Sequence, residues 1–349
     1  MFHNAHSFFA GVYDGHGPTG ELCSAFVQQR LPQLIQRYYD KATLTTQGAL
    51  DSVMRLAHSD ANDELHAKND INDHYSGTTS ISVLINTDEE TLTVCNVGDS
   101  RAVLGTTLAN GQFRAVPLSK DQTPYRKDEA LRCQQAGARI LSFGELDPST
   151  VRDGDSQIED PPRVWHPQGK FPGTAFTRSI GDSVAETLGV TAEPEILKVK
   201  LPSSSSSSSS AKPTIVVLAS DGIYDVLENQ QLLDVCRSFY QQSPLEACQR
   251  VLELSHQEWL LNEDCSGNEE HASYDDMTLV CLFLDRGETQ PPTTKEAHLQ
   301  AAAAPPPTTT TRQQPHHKRV RQKTLRNCEE DINFFGGAAA DGGSSTTPP

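Results

Sequence analysis

Four aspartates lie at the ends of apolar, strand-like runs, where their carboxylates could meet and bind a divalent cation. They are Asp14 after FFAGVY, Asp99 after TVCNVG, Asp221 after IVVLAS, and Asp275, which with Asp276 comes directly before MTLVCLFL. A strand that leaves the core into an acidic residue beside a glycine presents a carboxylate at the rim of its sheet. Any one acidic residue at a strand end is commonly part of a turn, but four of them, each beside an apolar run, favour a shared site if the carboxylates converge. Their mutual repulsion would then call for a cation.

The ligand types favour Mg²⁺ or Mn²⁺ over Zn²⁺. Carboxylate, carbonyl and water oxygens suit these hard cations, and the histidines and cysteines lack the spacing of a zinc site. His16, one glycine away from Asp14, is the candidate proton donor, because imidazole suits proton transfer at neutral pH. A turn or surface histidine is the alternative. The sequence has no GxSxG, no phosphate-binding Cys loop and no Walker-type loop, so water activated by metal is the expected nucleophile.

Composition and charge exclude several classes of function. The 349 residues carry a formal net charge of −17, which argues against nucleic acid or an anionic membrane as the main partner. The eight cysteines are scattered without a CxxC pair, and no apolar run is long enough for a signal peptide or a membrane span. We therefore expect a monomeric intracellular protein with reduced cysteines, in the cytoplasm, the nucleus or both.

The apolar periodicity predicts mixed α and β structure. The predicted elements are a helix at 50–65, strands at 80–86, 91–97 and 101–105, a helix at 127–137, a helix from Pro244 to about Asn262, and a strand at 277–284. The first two strands form a hairpin across the turn TDEE, and the third, RAVLG, is expected to continue their sheet. Runs of strands and helices without alternating βαβ units favour an antiparallel α+β fold.

The chain divides into a predicted domain at residues 1–286 and a low-complexity tail at 287–349. Eight serines at 203–210 fall between two predicted strands, so residues 203–212 are expected to be a loop insertion on the surface. The tail is rich in Pro, Thr and Ala and is expected to be disordered. Within it, residues 312–326 contain six Lys or Arg and no acid, which indicates a nuclear-targeting or docking patch or, alternatively, a solvated tail.

The motif GVYDGHGPTG resembles the DGHxG signature of the protein phosphatase 2C family, the metal-dependent serine/threonine phosphatases. Further blocks follow in that family's order: SGTTSISVLI, CNVGDSRAVL, PLSKDQTPYRKDEALRCQQAGARI, GTAFTRSIGD, VTAEPEI, VVLASDGIYDVLENQQ and DDMTLVCLF. Together the blocks span residues 8–284, so the resemblance covers the predicted domain. The run RVWHPQGKFPGTAFTRSIGDSVAETLGV is further similar to plant and protist members fused to cyclic-nucleotide-binding and kinase modules.

The resemblance implies a β-sandwich of two antiparallel sheets with helices on both outer faces, a four-layer αββα fold. It also implies two Mn²⁺ or Mg²⁺ ions at one rim of the sandwich. Asp14 would bridge them, the carbonyl of Gly15 would bind one, and Asp221 and Asp275 would complete the other. Asp99, together with Asp221, would match the looser third-metal site of some relatives.

The implied reaction is direct hydrolysis of phosphoserine or phosphothreonine in phosphoprotein substrates. Hydroxide held between the metals attacks phosphorus, and His16, which matches the family's general acid, protonates the departing oxygen. The resemblance implies no covalent phosphoenzyme. Ser100, Arg101 and Asp182 match positions with a structural or supporting role.

The chain departs from the family pattern before Asp14. There the family has a strand with an Arg that grips the substrate phosphate, followed by an acidic pair that supplies a metal ligand; MFHNAHSFFAGVY contains neither. We therefore expect the first strand or strands of the sandwich to be missing. The hypotheses are an N-terminally incomplete form of an active enzyme, or a catalytically weakened phosphatase-like binding or scaffold protein. A hydrolase of non-protein phosphate esters is a third.

Overall fold

The structure is a computed structural model that describes residues 2–4, 7–41, 48–108, 110–150, 160–201, 213–263 and 274–284. Its strands are β1 (Phe2–Asn4), β2 (Ser7–Val12), β3 (Gly15–His16), β4 (Gly77–Thr78), β5 (Ser80–Asn86), β6 (Thr91–Val97), β7 (Arg101–Thr107), β8 (Phe113–Pro117), β9 (Arg139–Leu141), β10 (Arg163–Trp165), β11 (Pro172–Thr174), β12 (Ile180–Gly181), β13 (Glu195–Lys200), β14 (Ile215–Ala219) and β15 (Leu279–Phe283). Its helices are α1 (Gly20–Lys41), α2 (Ala49–His66), α3 (Lys127–Gln135), α4 (Phe143–Leu146), α5 (Ser183–Glu186), α6 (Asp221–Tyr224), α7 (Asn229–Ser238) and α8 (Pro244–Glu263). The serine-rich insertion at 203–212 and the tail at 287–349, with its basic patch at 312–326, lie outside the described residues.

Two antiparallel sheets form the centre of the fold. The first has the strand order β1-β2-β5-β6-β13, and the second has the order β15-β14-β7-β8. All neighbouring strands in both sheets run antiparallel. The hairpin predicted across TDEE is confirmed as β5 and β6, in register from Ser80 opposite Val97 to Asn86 opposite Thr91. The predicted antiparallel α+β class is therefore confirmed.

The alternation of side chains along the central strands explains why the fold has four layers. On β5, Val83 lies between the two sheets, whereas Leu84 packs on the outer face that α1 and α2 cover. On β14, Val216 lies between the sheets, and Val217 belongs to the apolar cluster with α7 and α8. Because these strands are apolar on both faces, each sheet requires a cover on both sides. The predicted αββα sandwich is confirmed.

The strand RAVLG does not continue the sheet of the hairpin, so that prediction was wrong. As β7 it pairs with β14 and β8 in the second sheet, with Val103 opposite Val217. The chain leaves the first sheet at Gly98, whose φ of +104° is left-handed and whose missing side chain makes room for Thr79. Apolar periodicity reports which faces of a strand are buried, and it does not report which strand is the neighbour.

Three predicted helices are confirmed as α2, α3 and α8. Along α2, apolar residues at helical spacing are buried against α1 and the first sheet: Met54, Ala57, Ala61 and Leu65. Helix α3 ends just before Gly137, whose φ of +95° suits the left-handed end of a helix. Within the described part of the chain, no helix combines the length and apolarity needed to cross a membrane.

Two three-stranded sheets connect segments that are distant in sequence. One has the order β12-β4-β3, with His16 opposite Gly77 and Gly77 opposite Gly181. The other has the order β11-β10-β9, and an apolar cluster that includes Val164 and Cys133 joins it to α3. The first of these sheets places the histidine of the DGHxG motif beside the loop that precedes α5.

Candidate active site

Asp14 follows β2, and Thr79 fixes its backbone. The Asp14 N–H donates to Thr79 Oγ1 at 3.1 Å, and the Thr79 N–H donates to the Asp14 carbonyl at 2.9 Å. Thr79 Oγ1 also hydrogen-bonds to Ser100 Oγ at 2.7 Å. Ser100 is buried and directly follows Asp99. These bonds hold the end of β2 against the turn after β6, so Asp14 and Asp99 leave the core at neighbouring points.

The residue after Asp14 must be a glycine because α1 begins directly against it. A Cβ on Gly15 would lie 2.2 Å from the carbonyl oxygen of Gly20, and a Cβ on Gly20 would lie 2.6 Å from the carbonyl carbon of Gly15. Gly20 is the first residue of α1. The close approach of the two backbones therefore fixes the segment that carries the Gly15 carbonyl, the predicted main-chain ligand.

Asp221 and Asp275 come from adjacent strands of the second sheet. Asp221 follows β14 and Asp275 precedes β15, and these two strands pair antiparallel, so both residues lie at the same rim. Ser220 Oγ donates to the Asp276 carbonyl at 3.0 Å. A Cβ on Gly222 would lie 2.4 Å from that carbonyl oxygen and 3.2 Å from Asp275 Cβ. The glycine after Asp221 therefore lets the two acidic segments touch.

The four predicted aspartates converge around Asp14. Burial raises the pKa of Asp14 well above its ordinary value, and the carboxylates of Asp221, Asp275 and Asp99 raise it further, in that order. Crowded carboxylates of this kind remain ionised together only when a positive charge offsets their repulsion. Because the donor atoms are carboxylate oxygens, the residues present fit Mg²⁺ or Mn²⁺.

His16 is held by a buried carboxylate that the sequence assigned only a structural or supporting role. Its Nε2 lies 2.5 Å from Asp182 Oδ2 and 3.3 Å from Ser179 Oγ. Its ring packs on Phe176, with 4.3 Å between the ring centroids. Asp182 is only 2% exposed, so the carboxylate fixes the orientation of the imidazole. The two residues are 166 positions apart, and the only sequence signal for the pair is the GD dipeptide of GTAFTRSIGD.

A second group of acidic residues includes none of the four aspartates and has its own counter-charges. Carboxylate oxygens of Asp128, Glu129 and Glu195 lie within 4.8 Å of one another. They form ion pairs with three arginines: Arg126, Arg132 and Arg178. Because these guanidinium groups already balance the negative charge, the group requires no metal ion.

Replacing Glu129 by glutamine is expected to destabilise the fold. Burial alone would raise the pKa of Glu129, but hydrogen bonds from Arg132, Arg178 and Thr177 override it and lower the pKa to about 2. Glu129→Gln leaves the two guanidinium groups without this carboxylate, so the free energy of unfolding should fall by about 3 kcal/mol. Chemical denaturation measures the change. The exposed neighbour Asp128 provides the control, because Asp128→Asn should cost less than about 1 kcal/mol. Equal losses of unfolding free energy in the two variants would contradict the role of Glu129 as the buried partner of the arginines.

Comparison with known proteins gives one consistent result. Residues 2–258 match the protein phosphatase 2C family. Probable protein phosphatase 2C 35 of Arabidopsis thaliana is 38% identical over 289 residues, which cover 81% of this chain and 75% of that protein. Probable protein phosphatase 2C 72 of the same plant is 29% identical over 288 residues, 80% of this chain and 77% of that protein. The solved serine-threonine phosphatase 2C from Toxoplasma gondii matches 80% of this chain and 85% of its own, with a TM-score of 0.57 at 17% identity, which shows similarity of fold alone.

Proposed function

This chain belongs to the protein phosphatase 2C family of metal-dependent serine/threonine phosphatases, and from that premise we propose that it hydrolyses phosphoserine and phosphothreonine in proteins by direct attack of water on phosphorus. The observation that carries the proposal is the convergence of Asp221, Asp275 and Asp99 on Asp14. In phosphoryl transfer, positioning and neutralisation of charge supply most of the catalysis. A cluster of oxygen ligands beside a fixed histidine suits both tasks.

The proposed ligands are the residues that the sequence singled out. Asp14 would serve two ions, with the Gly15 carbonyl on one and Asp221 and Asp275 on the other. Asp99, with Asp221, would serve a third and looser site. Mn²⁺ or Mg²⁺ bound there would neutralise charge on the phosphoryl oxygens and acidify a water molecule. The protein's part is to hold the carboxylates at rigid strand ends, so that little reorganisation accompanies the reaction.

His16 is proposed to supply the proton for the departing oxygen. A serine or threonine alkoxide is a poor leaving group, so a proton donated as the P–O bond breaks lowers the barrier. The contacts with Asp182 and Phe176 hold the ring in place before the substrate binds. After the phosphoryl group has left, the neutral imidazole takes a proton from water and returns to its starting state.

A phosphatase-like binding protein is the second candidate. Such a protein would bind phosphoproteins without turning them over. We favour the enzyme because the four aspartates and the His16–Asp182 pair occur together.

Phosphate release from a phosphothreonine peptide distinguishes the two candidates. The enzyme should release phosphate in the presence of Mn²⁺ and stop when EDTA is added. The binding protein should retain a fluorescent phosphopeptide, measured by anisotropy, without releasing phosphate. A folded chain that neither binds nor hydrolyses the peptide would contradict both candidates.

Replacing Asp14 by asparagine is expected to remove the response of the fold to metal. At a Mn²⁺ concentration of 100 times its dissociation constant, binding stabilises the wild-type chain by about 2.7 kcal/mol, which raises the melting temperature by about 5 to 10 °C. Asp14→Asn should melt at the same temperature with and without Mn²⁺. Without metal it should be at least as stable as the wild type, because a neutral amide replaces a buried carboxyl group that is costly to ionise beside the other three.

Differential scanning fluorimetry measures the melting temperature of Asp14→Asn with and without Mn²⁺. The exposed residue Asp63 on α2 offers a matched control, and Asp63→Asn should keep the full response to Mn²⁺. A rise of equal size in Asp14→Asn and the wild type would show that the metal binds elsewhere.

A further inference from the structure

A second polar network lies behind the His16–Asp182 pair. It joins the end of α2, the loop before β4 and helix α5. His66 Nδ1 contacts the Asp73 carboxylate, and His66 Nε2 lies 3.1 Å from Glu186 Oε2. Asn62 Nδ2 donates to Glu186 Oε1 at 2.7 Å. Asn62 and Asp73 are buried. These four residues are called the His66 network below.

The network holds the main chain on both sides of Asp182. The Gly181 N–H donates to Asn62 Oδ1 at 2.8 Å. The Ser183 N–H donates to the Asp73 carbonyl at 3.1 Å. The main chain is therefore held on each side of Asp182, the residue whose carboxylate contacts His16. Asn62 binds the residue before it directly, and Asp73 binds the residue after it directly.

Asp182 needs such support because its backbone is strained. Its φ of +54° lies in the left-handed region, which costs a residue other than glycine on the order of 1 kcal/mol. Its own N–H donates to the Ser76 carbonyl at 2.9 Å. A residue in this conformation persists only where the surrounding contacts over-determine it. The bonds to Gly181 and Ser183 supply such contacts.

His66 lies at the centre of the network. Its hydrogen bond to Glu186, followed by the one to Asp73, outweighs the effect of burial and raises the pKa of His66 to about 9. His66 Nε2 also lies 2.9 Å from Asn62 Nδ2, so the two ring nitrogens contact all three other members of the network. Hydrogen bonds that share one ring hold the junction more stiffly than separate pairs would.

We propose that the His66 network positions Asp182, and through Asp182 the ring of His16, for protonation of the departing serine or threonine oxygen. This inference rests on the proposed function and adds positioning residues that contact neither substrate nor metal. Their effect reaches the reaction only through the orientation of one imidazole. An error of about 1 Å in the placement of a reacting group can cost on the order of a hundredfold in rate.

The choice of substrate separates positioning from general stability. A phosphothreonine peptide has a leaving group that needs a proton, whereas p-nitrophenolate is a stable anion that leaves without one. Asn62→Ala removes the acceptor for the Gly181 N–H, and we expect kcat for the peptide to fall about 10- to 100-fold. The kcat for p-nitrophenyl phosphate should fall much less. Glu186→Gln, at a partly exposed position, should also lower kcat for the peptide more than kcat for p-nitrophenyl phosphate, but by a smaller factor than Asn62→Ala does.

A matched control is available on the same helix. Glu64 forms an ion pair with Arg30 of α1, and among the described residues no side-chain hydrogen bond or ion pair joins that pair to the His66 network. Glu64→Gln should leave the ratio of the two kcat values unchanged, even if it lowers the melting temperature. An equal fall for both substrates in Asn62→Ala, or no fall for the peptide, would overturn the proposal.

A readout that does not depend on turnover keeps this inference separate from the proposed function. If the wild-type chain hydrolyses neither substrate with Mn²⁺, the proposed function fails, and the imidazole resonances of His16 in NMR spectra still report its surroundings. Asn62→Ala should shift those resonances, and Glu64→Gln should not. Unshifted His16 resonances in Asn62→Ala would refute the positioning role, whether or not the chain is active.

Discussion

Asp221→Ala is expected to lower Mn²⁺-dependent phosphate release from a phosphothreonine peptide by about a thousandfold or more. Loss of one electrostatic stabiliser alone costs about 10² to 10³ in kcat, and Asp221 is proposed to serve more than one ion. After burial, the Asp221 carboxylate is the largest of the influences that raise the pKa of Asp14. Phosphate release over a series of Mn²⁺ concentrations measures the loss, and excess metal should not restore the rate.

The control for this substitution is an aspartate on a helix that packs against the same sheet. Asp234 on α7 is exposed and accepts a hydrogen bond from Gln230. Asp234→Ala should therefore keep the wild-type rate. The fold of Asp221→Ala should survive, because its neighbour Gly222 remains secured by the Trp259 side chain, whose Nε1–H donates to the Gly222 carbonyl at 2.7 Å. An unchanged rate in folded Asp221→Ala would refute the ligand assignment.

His16→Gln is expected to lower kcat for the phosphothreonine peptide by about 10² to 10⁴, the usual contribution of a general acid. The loss for p-nitrophenyl phosphate should be much smaller, because its leaving group needs no proton. Glutamine retains a polar group near Asp182 and cannot transfer a proton at neutral pH. Steady-state kinetics on the two substrates, with Mn²⁺ at saturation, measures the difference.

The matched control for His16→Gln lies on α8. His256 contacts the ring of Tyr274, with ring centroids 5.2 Å apart, and it has no proposed part in the reaction. His256→Gln should change neither kcat. Equal losses for the peptide and p-nitrophenyl phosphate in His16→Gln would indicate that His16 binds phosphate or supports the metal site, and would contradict its role as proton donor.

Local sequence patterns predicted much of the fold. The hairpin of β5 and β6 follows from two alternating runs and the four-residue turn between them, all of which are adjacent in sequence. Helix α3 was predicted from the run KDEALRCQQAG and from Gly137 after its end. The convergence of the four aspartates could be anticipated because each follows or precedes a strand, and strand ends meet at the rims of sheets.

The remaining features depend on contacts between distant segments. RAVLG has the same alternation whichever sheet it joins, so its place beside β14 could not be predicted. The partner of His16 lies 166 residues away, and GD dipeptides are common in turns. The His66 network likewise combines segments from α2, the loop before β4 and α5. The likeness to members fused to cyclic-nucleotide-binding and kinase modules stays a prediction.

The aspartate cluster is proposed to bind the metal on which phosphate release depends. The most direct test is a Mn²⁺ titration of the wild-type chain in which the melting temperature and the rate of phosphate release from a phosphothreonine peptide are measured on the same sample. We expect both to rise over the same range of Mn²⁺, EDTA to reverse both, and Asp14→Asn to show neither rise. Phosphate release that persists in EDTA, or in Asp14→Asn, would contradict this proposal.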